Sequence, residues 1–344
     1  MSRHEWATQW RAVTVYDPTQ RDRRGYWTPV EPIRYPPVFQ WPPRPGPALG
    51  FLAGVPGYFA PWPLFYLALA AALWTWTTPE DATLAVLSPG WIGWLVARNA
   101  VIVALFFGAW HWWLYRRRAQ GERWKFNAAF PDDRPNPAFI GGTQTRENVL
   151  LTFASAVPIW TAWEVLYLHG WAKGWWPMLS FDRNPVWFVL LLLAIPAWRD
   201  LHFYLVHRLI HWPPLYRAIH RLHHKNINPG PWSGLSMHPG EHAIYFSCVA
   251  LHFVVPSHPA HALFNLVHAA LSPAQGHCGF DRVEGTHEDG AGLETHSYAH
   301  YLHHRYFDCN YADGVLPLDR WFGSFHDGSD EAQTRIVARR KKAG

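Results

Sequence analysis

The fold class predicted by this sequence is an all-α integral membrane protein. It should have about four transmembrane helices plus a re-entrant or short spanning hairpin, capped by a cytoplasmic, histidine-rich domain. Three observations predict it. The chain is 49% hydrophobic with 23 Trp, its apolar residues come in long blocks, and Trp suits the belts where an amphipathic ring sits at headgroup level. Eighteen of its 22 histidines lie between His202 and His304. Eight of these form three tight clusters, His207-x3-His211, His220-x2-His223-His224 and His300-x2-His303-His304.

In chain order, residues 1–48 read as a soluble, Pro-rich arm, in which Pro36, Pro37, Pro42, Pro43, Pro45 and Pro47 favour extended backbone. The arm lacks the apolar core of a signal peptide, so the first membrane helix is expected to target the chain. Residues 49–183 hold the N-terminal membrane helices, with spans at roughly 60–76, 99–115 and 149–169. Residues 184–326 form the catalytic region, opened by a fourth span from 185 toward His211, and 327–344 is a basic tail suited to anionic lipid.

Orientation follows from Lys and Arg. The arm carries seven Arg and segment 116–146 carries seven Lys or Arg, whereas loop 77–90 has none and loop 170–184 only Lys173 and Arg183. The two basic segments are therefore cytoplasmic, and the fourth helix delivers His207 and His211 to that side. Residues 242–271 are apolar but broken by Pro256-Ser257-His258-Pro259, with arms shorter than the roughly 20 residues that span a bilayer. The histidines on both sides of this stretch must share one face, so it returns as a hairpin.

The net charge of +5 comes with no nucleic-acid-reading motif, which excludes that partner class. Cys248, Cys278 and Cys309 form no CxxC pair and read as thiols on a reducing side.

Neutral imidazole is the commonest protein ligand for transition metals. Spacings of three and four put side chains on one helical face. All-nitrogen ligation fits iron, copper, zinc or nickel and excludes calcium or magnesium. Eight ligands are too many for one ion, so two metals are the economical count. Three further candidates join the eight: His296, four before His300; His277, in Gly276-His277-Cys278-Gly279-Phe280; and His238. Asp200, seven before His207, is placed to orient an imidazole N–H, and Arg199–Asp200 is otherwise a plain interfacial pair. His4, His111, His169 and His252 read as packed or hydrogen-bonded, and His202 as packing or support. Trp232, Ser233 and Met237 either line a pocket or pack in the core. His238-Pro239-Gly240-Glu241-His242 matches an inverted zinc-protease pattern, but Pro239-Gly240 opposes the continuous helix that chemistry needs. No HExxH occurs: His287-Glu288 is followed by Asp289-Gly290-Ala291.

Together, His207-Arg208-x-x-His211, His220-x-x-His223-His224, His238-Pro-x-Glu241, His277-x-Gly279-Phe280 and His300-x-x-His303-His304 resemble the fatty acid hydroxylase/sterol desaturase superfamily over about residues 200–325. The stretch from His303 through Asn310-Tyr311 to Leu318-Asp319-Arg320-Trp-Phe-Gly323-Ser324 looks like the C-terminal signature of its sterol C-5 desaturase branch. Ala312-Asp313 departs from that branch, which has glycine directly after Asn-Tyr. The resemblance implies a membrane enzyme with two iron ions (zinc in an isolated protein), O2 as co-substrate and an external electron donor. It also implies supporting roles for Glu241 and Asn310. Without a fused cytochrome b5 segment, electrons are expected from a ferredoxin, cytochrome or flavoprotein. The expected activity is lipid hydroxylation at an acyl, sterol or headgroup C–H, with desaturation as the alternative. A third reading is a membrane metal-binding or transport protein, disfavoured because the ligands gather at one face and Glu164 is almost alone within the first three spans. A bis-histidine haem would not explain the HxxHH doublets.

Overall fold

The computed structural model describes residues 16–30, 32–284 and 292–343; His4 and the His287-Glu288 segment lie outside them. Prolines open most helices, where a missing N–H costs nothing. The helices are α1 (Pro45–Ala53), α2 (Trp62–Thr77), α3 (Pro89–His111, continued by a π turn to Arg116), α4 (Gln144–Ala172, with a π turn at Thr152–Ala156) and α5 (Pro185–Ile210). They are followed by α6 (Pro239–Tyr245, extended as a 3-10 helix over Phe246–Phe253), α7 (Pro259–Gly276), α8 (Tyr298–Tyr306) and α9 (Asp330–Ala343). A two-residue antiparallel ribbon, β1 (Arg282–Val283) with β2 (Leu293–Glu294), qualifies the all-α expectation.

Three helices are long and apolar enough to cross a membrane: Pro89–Arg116, Gln144–Ala172 and Pro185–Ile210. They match three of the four expected spans, and the second begins ten residues earlier than expected. The first expected span falls short. At 16 residues, α2 extends about 24 Å, against about 30 Å of hydrocarbon. Outward residues of the long helices, among them Val101, Leu105, Val189, Leu190 and Leu193, are apolar and exposed, as a lipid-facing surface requires.

Helices α2 to α7 run up and down. At one end, the Tyr115 hydroxyl closing α3 donates to the carbonyls of Pro229 and Cys278, and Gln144 opening α4 donates to Asn228 O. At the other end, Trp94 Nε1 donates to Thr77 O, and the hairpin tip bonds the α4–α5 loop through Leu179 N to Ser257 O and Ser257 N to Pro177 O. The α6–α7 hairpin therefore reaches the end of the bundle opposite the histidines and does not stop midway. Its turn is set as the sequence indicates: Pro259 begins α7, and the His258 side chain accepts from Ala260 N.

The residues between 16 and 44 lie against the histidine end. Trp27 packs with Trp124 and Phe126, Tyr26 bridges to Asn127, and Arg34 pairs with Glu294. Cys248, Cys278 and Cys309 are buried, and none forms a disulfide.

Within the bundle, Arg98 pairs with Glu164, and Asn99 Nδ2 donates to Thr161 Oγ1 (3.1 Å) and Glu164 Oε2 (3.0 Å). A buried charge is tolerated only when its partners satisfy it, and here each charge is satisfied from the neighbouring helix. Glu164→Ala should strand the Arg98 guanidinium and lower stability by about 3–5 kcal/mol. Thermal unfolding of the solubilised protein checks this, and an unchanged melting temperature would contradict it.

Candidate metal centre

The eight clustered histidines and His277 converge into two groups. His207, His211, His220, His224 and His303 offer ligand atoms that all lie within 4.8 Å of one another, and His223, His277, His300 and His304 do the same. Eight of these nine side chains are buried, and His211 is half-buried. In the first group, the Nε2 atoms of His220 and His224 each stand 3.1 Å from His211 Nε2, and those of His303 and His224 stand 3.0 Å apart. In the second, His277 Nε2 lies 3.2 Å from that of His223 and 2.9 Å from that of His300, and His304 Nε2 is 3.2 Å from that of His300.

Each HxxHH motif serves both groups. His300 and His304 are four apart on α8 and share one group, while His303 crosses to the other; residues i and i+4 diverge by only about 40°, whereas i+3 stands about 100° from i+4. The second motif repeats the split with the groups exchanged, His220 and His224 in the first and His223 in the second. It does so without an α-helix. The expectation of a common helical face fails there, because His220 ends a π turn (Tyr216–His220) and His223 opens a 3-10 turn (His223–Lys225). His207 comes from the last turn of α5 and His211 caps that helix.

Backbone carbonyls aim the rings. From Nδ1, His207 donates to Tyr311 O (2.7 Å), His303 to Cys309 O (2.7 Å), His223 to Ser236 O (3.3 Å) and His277 to Pro273 O (3.0 Å). A carbonyl only accepts, so each ring carries its proton on Nδ1 and a bare lone pair on Nε2. His223 and His277 thus point two lone pairs at each other across 3.2 Å. Without a cation that contact is repulsive. Protonation does not relieve it, because burial and the neighbouring imidazoles push His277 down to about 4 and hold His223 well below the usual value. Nitrogens sharing one ion at about 2.0–2.1 Å stand about 3.0–3.4 Å apart, so the donor set fits two transition metals.

His220 Nδ1 is held by Glu241 Oε1 at 2.7 Å, the orienting role expected of that carboxylate. Burial pushes the Glu241 carboxyl well above its usual range. Asn310, at φ 50°, makes no hydrogen bond to a ligand ring among the described residues. Its Nδ2 donates to Ala299 O and His326 O, pinning the loop whose neighbouring carbonyls hold His303 and His207. Asp319, which the sequence reading left without a role at the centre, accepts from Tyr311 N (2.9 Å) and Ala312 N (2.8 Å) and fixes the same loop.

Four expectations are corrected. Asp200 orients no imidazole: its Oδ2 accepts from Leu316 N at 2.6 Å, because the carboxylate turns toward the loop at Gly314. Arg199 pairs not with Asp200 but bidentately with Asp313 (2.5 and 3.0 Å). His296 shares no helical face with His300, since α8 starts at Tyr298 and His296 sits ahead of it at φ 56° beside Glu294. His238 also stands outside both groups; its Nδ1 caps α6 by accepting from Gly240 N. His242 bonds Ser155, so the protease pattern is not assembled.

Several other histidines bond locally, His169 with Leu84 O, His252 with Ser257 and His202 with Ser247, while His111 stacks on Tyr115. Trp232 packs between Phe107 and Phe153. Met237 lines a small chamber of about 10 Å³ between the two histidine groups, with Phe203, Glu241 and Tyr245.

The family model described as "Fatty acid hydroxylase" matches residues 190–324. Similar curated proteins include a Delta(7)-sterol 5(6)-desaturase of Gibberella zeae, 31% identical over 40% of this chain and 42% of its own length. Another, from Aspergillus fumigatus, is 32% identical over 42% and 50%, and one from Saccharomyces cerevisiae is 25% identical over 51% and 48%. The chain thus spans about half the length of the curated relatives it matches. No solved structure matches.

Two outcomes are expected. His223→Ala opens only the second group and His303→Ala only the first, so each should lower bound metal from about two ions to about one per chain, read by elemental analysis; unchanged content in either contradicts the partition. The second concerns pH. In the metal-free protein the buried rings of His223, His224, His300, His303 and His304 titrate well below 6.5. Below about pH 6.5 the unfolded chain binds more protons, so stability is present at neutral pH and is lost as pH falls. Unfolding temperatures between about pH 7.5 and 5.5 should decline steeply, and a flat profile contradicts the burial.

Proposed function

We propose that this chain, whose residues 190–324 match the fatty acid hydroxylase model, is a member of the fatty acid hydroxylase/sterol desaturase superfamily and carries out the O2-dependent oxidation of an unactivated C–H bond in a membrane lipid by a non-haem di-iron centre. The observation that carries this reading is the pair of inward-facing imidazole groups at one end of an apolar helical bundle. A bound iron pair would supply the reduction of O2: with two external electrons and two protons, the lipid would gain one oxygen as an alcohol with release of one water, or would lose two hydrogens as an alkene with release of two waters.

The protein's own work is positioning and exclusion. His207, His211, His220, His224 and His303 would hold one ion and His223, His277, His300 and His304 the other, with His207, His220, His223, His277 and His303 already fixed through Nδ1. Phe203, Met237 and Tyr245 close the chamber between the groups and keep bulk water from it. A cavity of about 310 Å³ lies alongside and reaches His300, which supports the reading by leaving room for a lipid chain next to the centre.

Lipid hydroxylation is the first reading. Desaturation is the second, favoured by the relatives named as sterol desaturases. A transport role fits less well. The ligands collect at one end, and the polar cluster inside the spans is closed on itself. The basic 116–146 segment lies at the same end, so we place the centre on the cytoplasmic face, where a ferredoxin, cytochrome or flavoprotein would deliver electrons. Lipid profiling of cells with and without the protein, against a His303→Ala control, tests the reaction. A gain of about 16 mass units marks hydroxylation and a loss of about 2 desaturation; no change in any lipid contradicts both.

A further inference from the structure

Helix α1 and the 54–61 turn fit neither the soluble arm nor the spanning helices expected from the sequence. The chain enters α1 from the histidine end. Phe39 packs edge-on against Trp321, and Trp321 Nε1 donates to the Tyr35 hydroxyl at 3.2 Å. The adjoining Phe322 stacks on Tyr204, three residues before His207. The turn after α1 is anchored far from that end. The Tyr58 hydroxyl donates to Leu193 O at 2.6 Å, and the Phe59 and Phe264 ring centroids stand 6.1 Å apart. From Leu193 to His207, α5 rises about 21 Å, and from Phe264 to Gly276, α7 rises about 18 Å. The turn therefore lies well inside the span of α5, beside exposed, apolar Leu190 and Leu193.

Composition and facing agree with that depth. No charged residue occurs between Arg44 and Glu80. Leu49, Leu52 and Val55 are 64%, 46% and 76% exposed, whereas Phe51, Pro56, Gly57 and Tyr58 line the 310 Å³ cavity. One side of the segment is thus cavity wall, and the other is an uncovered apolar surface continuous with that of α5. Such a patch needs an apolar partner, and at this depth the partner is hydrocarbon. The backbone suits it too. Pro56 and Pro61 have no N–H, Tyr58 N donates to Phe51 O, and Gly57 N donates to Ala60 O. Irregular backbone is tolerated at membrane depth where it lines a cavity. Trp41, 89% exposed, and Arg44 precede α1, as befits a crossing of the headgroup level.

We propose that α1 and the 54–61 turn form a flap inserted into the bilayer leaflet at the histidine end, with Leu49, Leu52 and Val55 against acyl chains and Phe51 and Tyr58 walling the cavity off from them. The flap is the bilayer side of the cavity. This rests on membrane insertion of the helical bundle and on no step of the oxidation.

The test is spin-label accessibility in the full-length protein reconstituted in phosphatidylcholine vesicles. Cys248, Cys278 and Cys309 are buried, so a nitroxide reagent goes to an introduced thiol. Labels are placed by Leu49→Cys and Val55→Cys on the flap, by Leu105→Cys on the exposed face of α3, and by Glu122→Cys on the basic segment, with metal content reporting that each variant is folded. The Leu49 and Val55 labels should collide with O2 severalfold more often than with a water-soluble nickel chelate, as the Leu105 label does, and the Glu122 label should show the reverse. A nickel preference on the flap with an O2 preference at Leu105 overturns the proposal and leaves the spanning bundle standing. A nickel preference at Leu105 as well sinks the membrane reading and the flap together. Spin–spin broadening of the Leu49 label that disappears on dilution with unlabelled protein would show a second copy of the chain covering the flap, and it too overturns the proposal. A flap in lipid with no lipid oxidised in cells would sink the oxidase reading alone.

Discussion

The rest of the structure depends on one constraint: imidazole rings tied by Nδ1 to backbone carbonyls so that their Nε2 lone pairs meet. His207, His303, His223 and His277 each spend their one proton on a carbonyl. The lone pairs of His223 and His277 face each other across 3.2 Å in a dry interior, where only a cation relieves them. Aiming these rings in advance means that metal binding need not order them.

Much of the architecture serves to deliver those carbonyls. Asn310 and Asp319 fold the loop that presents Cys309 O and Tyr311 O. Pro273 interrupts α7 four residues before His277. Lacking an N–H, it frees the Ala269 carbonyl, which accepts from the Tyr245 hydroxyl at 2.6 Å. Its own carbonyl holds His277. One proline thus joins α6 to α7 and aims a ligand. The up-and-down helices bring the end of α5, the start of α6 and the end of α7 to one level, so residues far apart in sequence become neighbours.

The eight clustered histidines were legible because their spacing is local, and so were the long apolar helices and the proline break between α6 and α7. What the sequence did not carry was any arrangement set by distant contacts. His277 has no helical spacing to a cluster and was reached through the His277-x-Gly279-Phe280 motif; it joins the second group because α7 ends beside α8. Asp200 does lie on the helical face of His207, yet its carboxylate turns to the Gly314–Leu316 loop more than 100 residues away. His296 has helical spacing to His300, but its positive φ places it before the helix. The division of His220, His223 and His224 between two groups was likewise hidden, because it follows from turns that are π and 3-10 around His220 and His223. Asp313, a departure from the resembled branch, gained its meaning only when Arg199 was found beside it.

The central claim is that two all-imidazole groups hold two metals within bonding reach of one chamber. Iron K-edge X-ray absorption on the iron-reconstituted protein tests it most directly. Two irons per chain are expected, with nitrogen or oxygen neighbours at about 2.0–2.2 Å and the outer-shell scattering of several imidazoles. Sulfur in the first coordination sphere, or a single iron at full loading, would contradict it.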